Sequence, residues 1–121
     1  MAARDTVLII DDDPSCRELI AVLGQLWGIP VLEAADCAAG LRVLQREEQR
    51  IRLILLDYFL PGMRPVECAT ALIAMAGPSI PVVLVTAAVD PAIRAAELKL
   101  THWVSKPFDM SALEDLFKNA A

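Results

Sequence analysis

No apolar stretch in this sequence of 121 residues approaches the roughly 20 residues a bilayer-spanning helix requires. Basic charge is in deficit: 11 Lys and Arg stand against 16 Asp and Glu, for a net charge of −5. That balance excludes the basic footprint on which direct nucleic-acid binding depends. Histidine is nearly absent. The lone His102 cannot build a histidine metal site or a phosphohistidine relay, and it reads as a surface residue. The three cysteines, Cys16, Cys37 and Cys68, are scattered, without the paired spacing that zinc needs. Their odd number and the absence of a signal peptide lead to the expectation of buried, unreactive thiols in a reducing cytoplasm. Repeats, low-complexity tracts and linkers are also missing, so residues 1–121 read as one domain. A chain of this length buries roughly 65% of the surface its unfolded form exposes. With 56% apolar and 22% charged residues, the composition is that of a compact protein and not of a disordered one.

What the chain does have is strict alternation. Short apolar runs at 6–10, 30–33, 53–56, 82–85 and 102–104 predict five strands. The first, third and fourth are continuous in Val, Ile and Leu, the pattern of strands covered on both faces, as in a parallel sheet between helix layers. The second and fifth are weaker. Five helices fall between and after them. Asp13 caps the first, with Pro14 at its first position; Cys16, Leu19, Ile20, Leu23 and Leu26 follow at helical spacing. Trp27 packs at its end and Gly28 stops it. Asp36 caps the second, which buries Leu41 and Leu44 and ends in a solvated charged stretch at 46–50. Pro65 opens the third, with Cys68, Leu72 and Met75 inward. Pro91 opens a short fourth, and Asp109 caps a fifth that buries Met110, Leu113 and Phe117. The fold class is therefore α/β, a doubly wound (βα)5 sandwich of three layers.

In open sheets of this kind, ligands bind beyond the carboxyl ends of the strands. The residues there are Asp11 and Asp12, then Asp57, Thr86 and Lys106. Stacked carboxylates are unfavourable unless a cation takes up their charge, and hard oxygen ligands suit magnesium, which often sits beside a phosphoryl group. A carboxylate can attack phosphorus to form an acyl phosphate. Charge in such a transfer spreads over the equatorial oxygens; a Thr86 hydroxyl and a Lys106 ammonium would neutralise it.

Four strings carry a family resemblance: Val-Leu-Ile-Ile-Asp-Asp-Asp-Pro at 7–14, Leu-Leu-Asp-Tyr-Phe-Leu-Pro-Gly-Met at 55–63, Val-Thr-Ala at 85–87 and Ser-Lys-Pro-Phe at 105–108. In order and spacing they resemble the receiver domain of response regulators, the phosphoacceptor of two-component signalling. The resemblance implies a flavodoxin-like parallel sheet of order 2-1-3-4-5, with Asp57 as phosphoacceptor. It implies Mg2+ held by Asp12 directly, by Asp11 through water, by Asp57 and by the backbone carbonyl of Phe59. Thr86 would be the switch hydroxyl, Lys106 the lysine that pairs with the phosphoryl group, and the Lys106–Pro107 bond cis. Partners would be a histidine kinase or histidine phosphotransfer protein. An effector would engage the face of the fourth helix, fifth strand and fifth helix, and homodimers belong to the same repertoire. Direct nucleic-acid or membrane contact is not implied. Such a domain is cytoplasmic and catalyses only its own phosphorylation and dephosphorylation. Met1 opens the sequence and one helix follows Lys106, as in a stand-alone regulator or, preferably, a receiver from a longer protein.

The chain also departs from the family. Met63-Arg64-Pro65 replaces the usual Met-Asp-Gly, which stiffens the loop over the site. Leu100-Thr101 replaces Gly-Ala before the lysine strand, and the fourth helix is expected to be trimmed. Trp103 stands where a smaller switch aromatic is usual. Phe59 is large and Ala88 small, so Phe59 is expected to shield an acyl phosphate from water. A haloacid-dehalogenase-type phosphohydrolase shares the Asp-x-Asp of 11–13 but lacks its later acidic motif at a strand end and leaves Asp57 unused. A degenerate, binding-only receiver keeps the fold and loses the chemistry. A flavin domain would need a hydroxyl- and glycine-rich loop after the first strand, where three aspartates stand instead.

Overall fold

The computed structural model describes residues 3–119; Met1 lies outside them. The elements run β1 (Thr6–Ile10), α1 (Pro14–Trp27), β2 (Val31–Ala34), α2 (Cys37–Glu47), β3 (Ile51–Asp57), α3 (Pro65–Ala76), β4 (Val82–Thr86), α4 (Pro91–Glu97), β5 (Trp103–Ser105) and α5 (Met110–Asn119). All strand pairs are parallel, and the sheet order is β2-β1-β3-β4-β5.

The continuous Val/Ile/Leu runs became the three interior strands, and the two weaker runs became the edges. Successive residues of a strand point to opposite faces, so each interior strand serves two cores. Leu8, Ile10, Ile54, Leu56 and Leu84 face α2, α3 and α4. Val7, Ile9, Leu53, Leu55, Val83 and Val85 face α1 and α5, where Ile20, Leu23, Leu113 and Phe117 meet them. Trp27 closes this second layer edge-to-face on Phe117, with ring centroids 5.2 Å apart.

Helix starts follow their caps. Asp13 accepts from the Ser15 N–H at 2.9 Å, Asp36 from Ala39 at 2.8 Å and Asp109 from Ser111 at 2.9 Å. Gly28 ends α1 at φ 72°, a left-handed conformation that glycine adopts without a Cβ penalty. The second strand runs one residue later than expected, with Ala34 opposite Ile10, while the Pro30 carbonyl still accepts from the Val7 N–H at 2.9 Å. β3 is longer than its apolar run at both ends. α4 is short, seven residues, as expected.

Four expectations need correction. Leu19 and Leu26 are 43% and 72% exposed, because they lie off the stripe of Cys16, Ile20, Leu23 and Gly24 that faces the sheet. Met110 is also half-exposed: it opens α5, and the first turn of a helix that follows a strand starts at the rim, with little sheet beneath it. Cys37 and Cys68 are buried as expected, but they form a disulfide instead of free thiols. The first turns of α2 and α3 abut on one face of the sheet and bring the two Cα atoms to 5.9 Å, across a sequence separation of 31. That separation gave no hint of the proximity. Disulfides persist mainly in oxidising surroundings, so the cysteines no longer argue for a reducing compartment.

Gly24 lies inside α1, where alanine would ordinarily stabilise a helix by about 1 kcal/mol. A Cβ there would press on Val31 and on the backbone carbonyl of Ile29, as the chain folds back after Gly28. Gly24→Ala is therefore expected to lower stability by about 1–3 kcal/mol, read from the urea midpoint; a rise would show that the turn after α1 can move aside.

Candidate functional site

Parallel register sets the site. Ile10 pairs with Leu56, and Asp57 pairs with Val85, so Asp11 and Asp57 emerge from neighbouring strands. Thr86 ends β4 opposite Ser105 of β5, and Lys106 follows directly, its N–H donating to the Thr86 carbonyl at 2.8 Å. Thus Asp11, Asp12, Asp57, Thr86 and Lys106 converge on one rim as expected. The Lys106–Pro107 bond is cis.

Asp57 is the last residue of β3 and only 6% exposed; Asp11 is fully buried, whereas Asp12 is exposed. Each of these three offers a carboxylate oxygen, and the three atoms lie within 4.8 Å of one another. Asp13 stands apart from them and caps α1. Lys106 Nζ reaches into the cluster, 2.6 Å from Asp11 Oδ2 and 3.7 Å from Asp57 Oδ1. The resting lysine is thus held chiefly by Asp11.

The electrostatics follow from these contacts. Burial pushes the Asp57 carboxyl up and the Asp11 charge adds to it; Lys106 and the Phe59 N–H oppose only in part, leaving a pKa of about 6. Burial acts in the same direction on Asp11. There, however, hydrogen bonds from the Cys16 thiol, from Lys106 and from the Asp13 N–H outweigh it, and its pKa falls below the usual value. Burial disfavours the Lys106 ammonium, but its bond to Asp11 and the Asp57 charge prevail and raise its pKa. The Cys16 thiol is pushed up to about 12 by burial and by Asp11, so it stays protonated.

Thr86 is fully buried, and its Oγ1 accepts from the Ala88 N–H at 3.0 Å. The Phe59 N–H donates to Asp57 Oδ1 at 3.4 Å. The Phe59 ring leans edge-to-face on Tyr58, at 5.1 Å between centroids, and is 58% exposed. Trp103 lies on edge strand β5 and is 44% exposed. His102 is exposed and meets the Thr101 hydroxyl. Two neighbours of the site escaped the sequence reading. One is Cys16, which read as a core residue of α1. The other is Arg17, whose Nη1 donates to the Asp11 carbonyl at 2.7 Å while its Nε faces Glu33 at 3.4 Å. Both lie in the first turn of α1, and no motif marks that this turn folds over Asp11.

Residues 7–118 match the response regulator receiver domain family. The chain belongs to that family. Among relatives, it is 36% identical over 118 residues to the response regulator protein FleR of Pseudomonas aeruginosa, covering 96% of this chain and 24% of FleR. It is 32% identical over 107 residues to the DNA-binding response regulator MtrA of Mycolicibacterium smegmatis, covering 87% of this chain and 45% of MtrA. The receiver domain therefore spans less than half the length of these relatives. Among solved structures, the Saccharomyces cerevisiae receiver domain of Ssk1, in co-crystal with the histidine phosphotransfer protein Ypd1, shares the fold. Its TM-score is 0.82 at 16% identity, with 99% of this chain and 90% of that one covered.

A carboxyl whose folded pKa lies above its unfolded value holds extra protons in the native state, so its stabilising contribution is present at low pH and lost as pH rises. For Asp57 that window runs from the unfolded value near 3.9 to about 6. Asp11, Asp12 and Lys106 are the charged groups that face it. In metal-free protein, Asp57→Asn of this receiver domain is expected to be more stable than wild type by about 1–2 kcal/mol at pH 7.5, with no gap at pH 4. Denaturant titrations at the two pH values check this; a gap of equal size at both would assign the effect to packing.

Proposed function

We propose that this receiver domain accepts a phosphoryl group on Asp57 from a histidine kinase or a histidine phosphotransfer protein, with Mg2+ in the acidic cluster. One observation carries the reading: a nearly buried strand-end carboxylate lies 3.7 Å from a lysine and within reach of two further carboxylates. The donor set fits the ion, since all three side chains present oxygen at one place and Asp12 is open to solvent. Asp11, Asp12 and Asp57, with the Phe59 carbonyl, would hold it, Asp11 through water. Bound there, the metal neutralises charge on the transferring phosphoryl oxygens. The co-crystal of the Ssk1 receiver with Ypd1 supports a phosphotransfer protein as donor.

In the transfer, an Asp57 carboxylate oxygen forms a bond to phosphorus as the bond from phosphorus to the donor imidazole nitrogen breaks; the imidazole leaves with its electron pair. At neutral pH Asp57 is mostly ionised even without metal, as attack requires. Lys106 turns part of its charge from Asp11 to the new phosphoryl group. The Thr86 hydroxyl donates to another of its oxygens and releases the Ala88 N–H. Nothing else is turned over, so the protein acts on itself. A shift between two states then presents the output surface of α4, β5 and α5, where Ile93, Trp103 and Met110 expose apolar area to an effector. Among the described residues no helix is long and apolar enough to cross a membrane. A kinase fed by cellular ATP favours a cytoplasmic site of action.

Incubation with Mg2+ and acetyl phosphate is expected to give a single phosphoryl adduct by intact mass. Asp57→Asn should give none, nor should wild type with a chelator. No adduct on wild type, with no response to beryllofluoride, would assign the chain to a binding-only receiver. A second expectation concerns lifetime. If Phe59 shields the acyl phosphate, Phe59→Asn shortens the adduct's half-life several-fold; an unchanged half-life removes that role from Phe59.

A further inference from the structure

Aspartates occupy the N-cap position of four helices, and three of them cap. Asp13, Asp36 and Asp109 each accept a hydrogen bond from the first turn of the helix they precede. Asp90, before α4, makes no such bond. Its Oδ2 is turned instead to Arg94 Nη2 at 3.2 Å. Arg94 is itself half-buried, and its Nη1 is 2.8 Å from Glu97 Oε1 and 3.4 Å from the Tyr58 hydroxyl. Tyr58 donates to Glu97 Oε2 at 3.1 Å, and the guanidinium lies 5.7 Å from the centre of the Tyr58 ring. The Arg94 Nε is buried without a hydrogen-bond partner, so the arrangement leaves a donor unsatisfied as well as a helix uncapped.

The position of this cluster matters. Tyr58 directly follows Asp57, and Asp90 ends the loop that starts at Thr86, whose hydroxyl holds the Ala88 N–H. Arg94 thus joins the loop after the phosphoacceptor to the loop after the switch hydroxyl. We propose that Tyr58, Arg94 and Asp90 form a latch that keeps α4 uncapped in the unmodified protein. Loading of Asp57 draws Thr86 away from Ala88, shifts residues 87–90 and opens the latch. The Asp90 carboxylate is then free to accept from the Ala92 N–H and to share that of Ile93, which already donates to the Asp90 carbonyl at 3.1 Å. A seven-residue helix is marginal by itself, and a cap changes its stability by roughly a factor of five. The latch therefore converts a change at Asp57 into a change in the order of α4 on the output surface. Tyr58, Arg94 and Asp90 are positioning residues; none touches the phosphoryl group. The inference rests on the phosphoacceptor reading of Asp57.

The test measures amide hydrogen exchange of Ala92 and Ile93 by NMR, before and after loading with acetyl phosphate and Mg2+, with intact mass taken on the same samples. Exchange of the β3 amides reports that each variant keeps the fold. In wild type, loading is expected to slow these two amides several-fold. In Arg94→Met they are expected to be slow already in the unmodified protein, with less than a two-fold further change on loading. Tyr58→Phe keeps the ring and loses the hydroxyl, and it is expected to halve the response or more. An adduct on wild type without a change at Ala92 and Ile93 overturns the latch and leaves the phosphoacceptor reading standing. So does an Arg94→Met response equal to that of wild type. No adduct on wild type overturns both.

Discussion

The carboxylate of Asp57 sits at the end of a strand with almost no access to water, beside two other carboxylates, and one ammonium group stands against all three. Most of the rim is arranged around that imbalance. Lys106 is placed by the backbone bond between its N–H and the Thr86 carbonyl, which ties the loop after β5 to the end of β4. Asp11 is kept ionised by donors from the start of α1 and by Lys106 from beyond β5, and its charge in turn raises Asp57. A site so acidic is stable in the folded protein because the sheet fixes where the strands end. Shifting one strand by a residue would exchange its two faces, bury the wrong side chains and move a carboxylate off the rim.

That dependence explains why so much was legible in the sequence. A parallel sheet buried on both faces demands unbroken Val, Ile and Leu in its interior strands. The same demand makes the first polar residue after each run conspicuous. Asp11, Asp57 and Thr86 could be picked out because Ile10, Leu56 and Val85 precede them. The weaker runs at the second and fifth strands were informative too: each is an edge, where one side of the strand lacks a neighbour and fewer apolar residues are required.

What could not be read depended on contacts between elements distant in the chain. Cys37 and Cys68 each looked like an ordinary buried position, and only the approach of α2 to α3 makes them partners. Cys16 satisfied the apolar stripe of α1, so its second task, donating to Asp11, was hidden by its first. The error at Leu19 and Leu26 is of another kind. Periodicity places residues within a wide apolar arc, but the width of the buried stripe is decided by how closely the helix sits on the sheet. The close approach of the chain at Gly24 marks the middle of that stripe, and Leu19 and Leu26 lie outside it.

The resting site has few free hands. Lys106 is bonded to Asp11, the Thr86 hydroxyl to the Ala88 N–H, and Asp57 to the Phe59 N–H. A phosphoryl group on Asp57 would therefore draw Lys106 from Asp11, whereas the Thr86 hydroxyl, which accepts from Ala88, still has its proton to donate. Exchanging one hydrogen bond for another changes the free energy by little, on the order of 1 kcal/mol, so the two arrangements of such a site lie close together. If the Thr86 side chain turns toward the phosphoryl group, its oxygen leaves the Ala88 N–H, and the loop that carries that N–H leads straight into α4. Because the Thr86 oxygen is the acceptor that the Ala88 N–H has inside the fold, turning that side chain toward a modified carboxylate obliges the neighbouring backbone to rearrange.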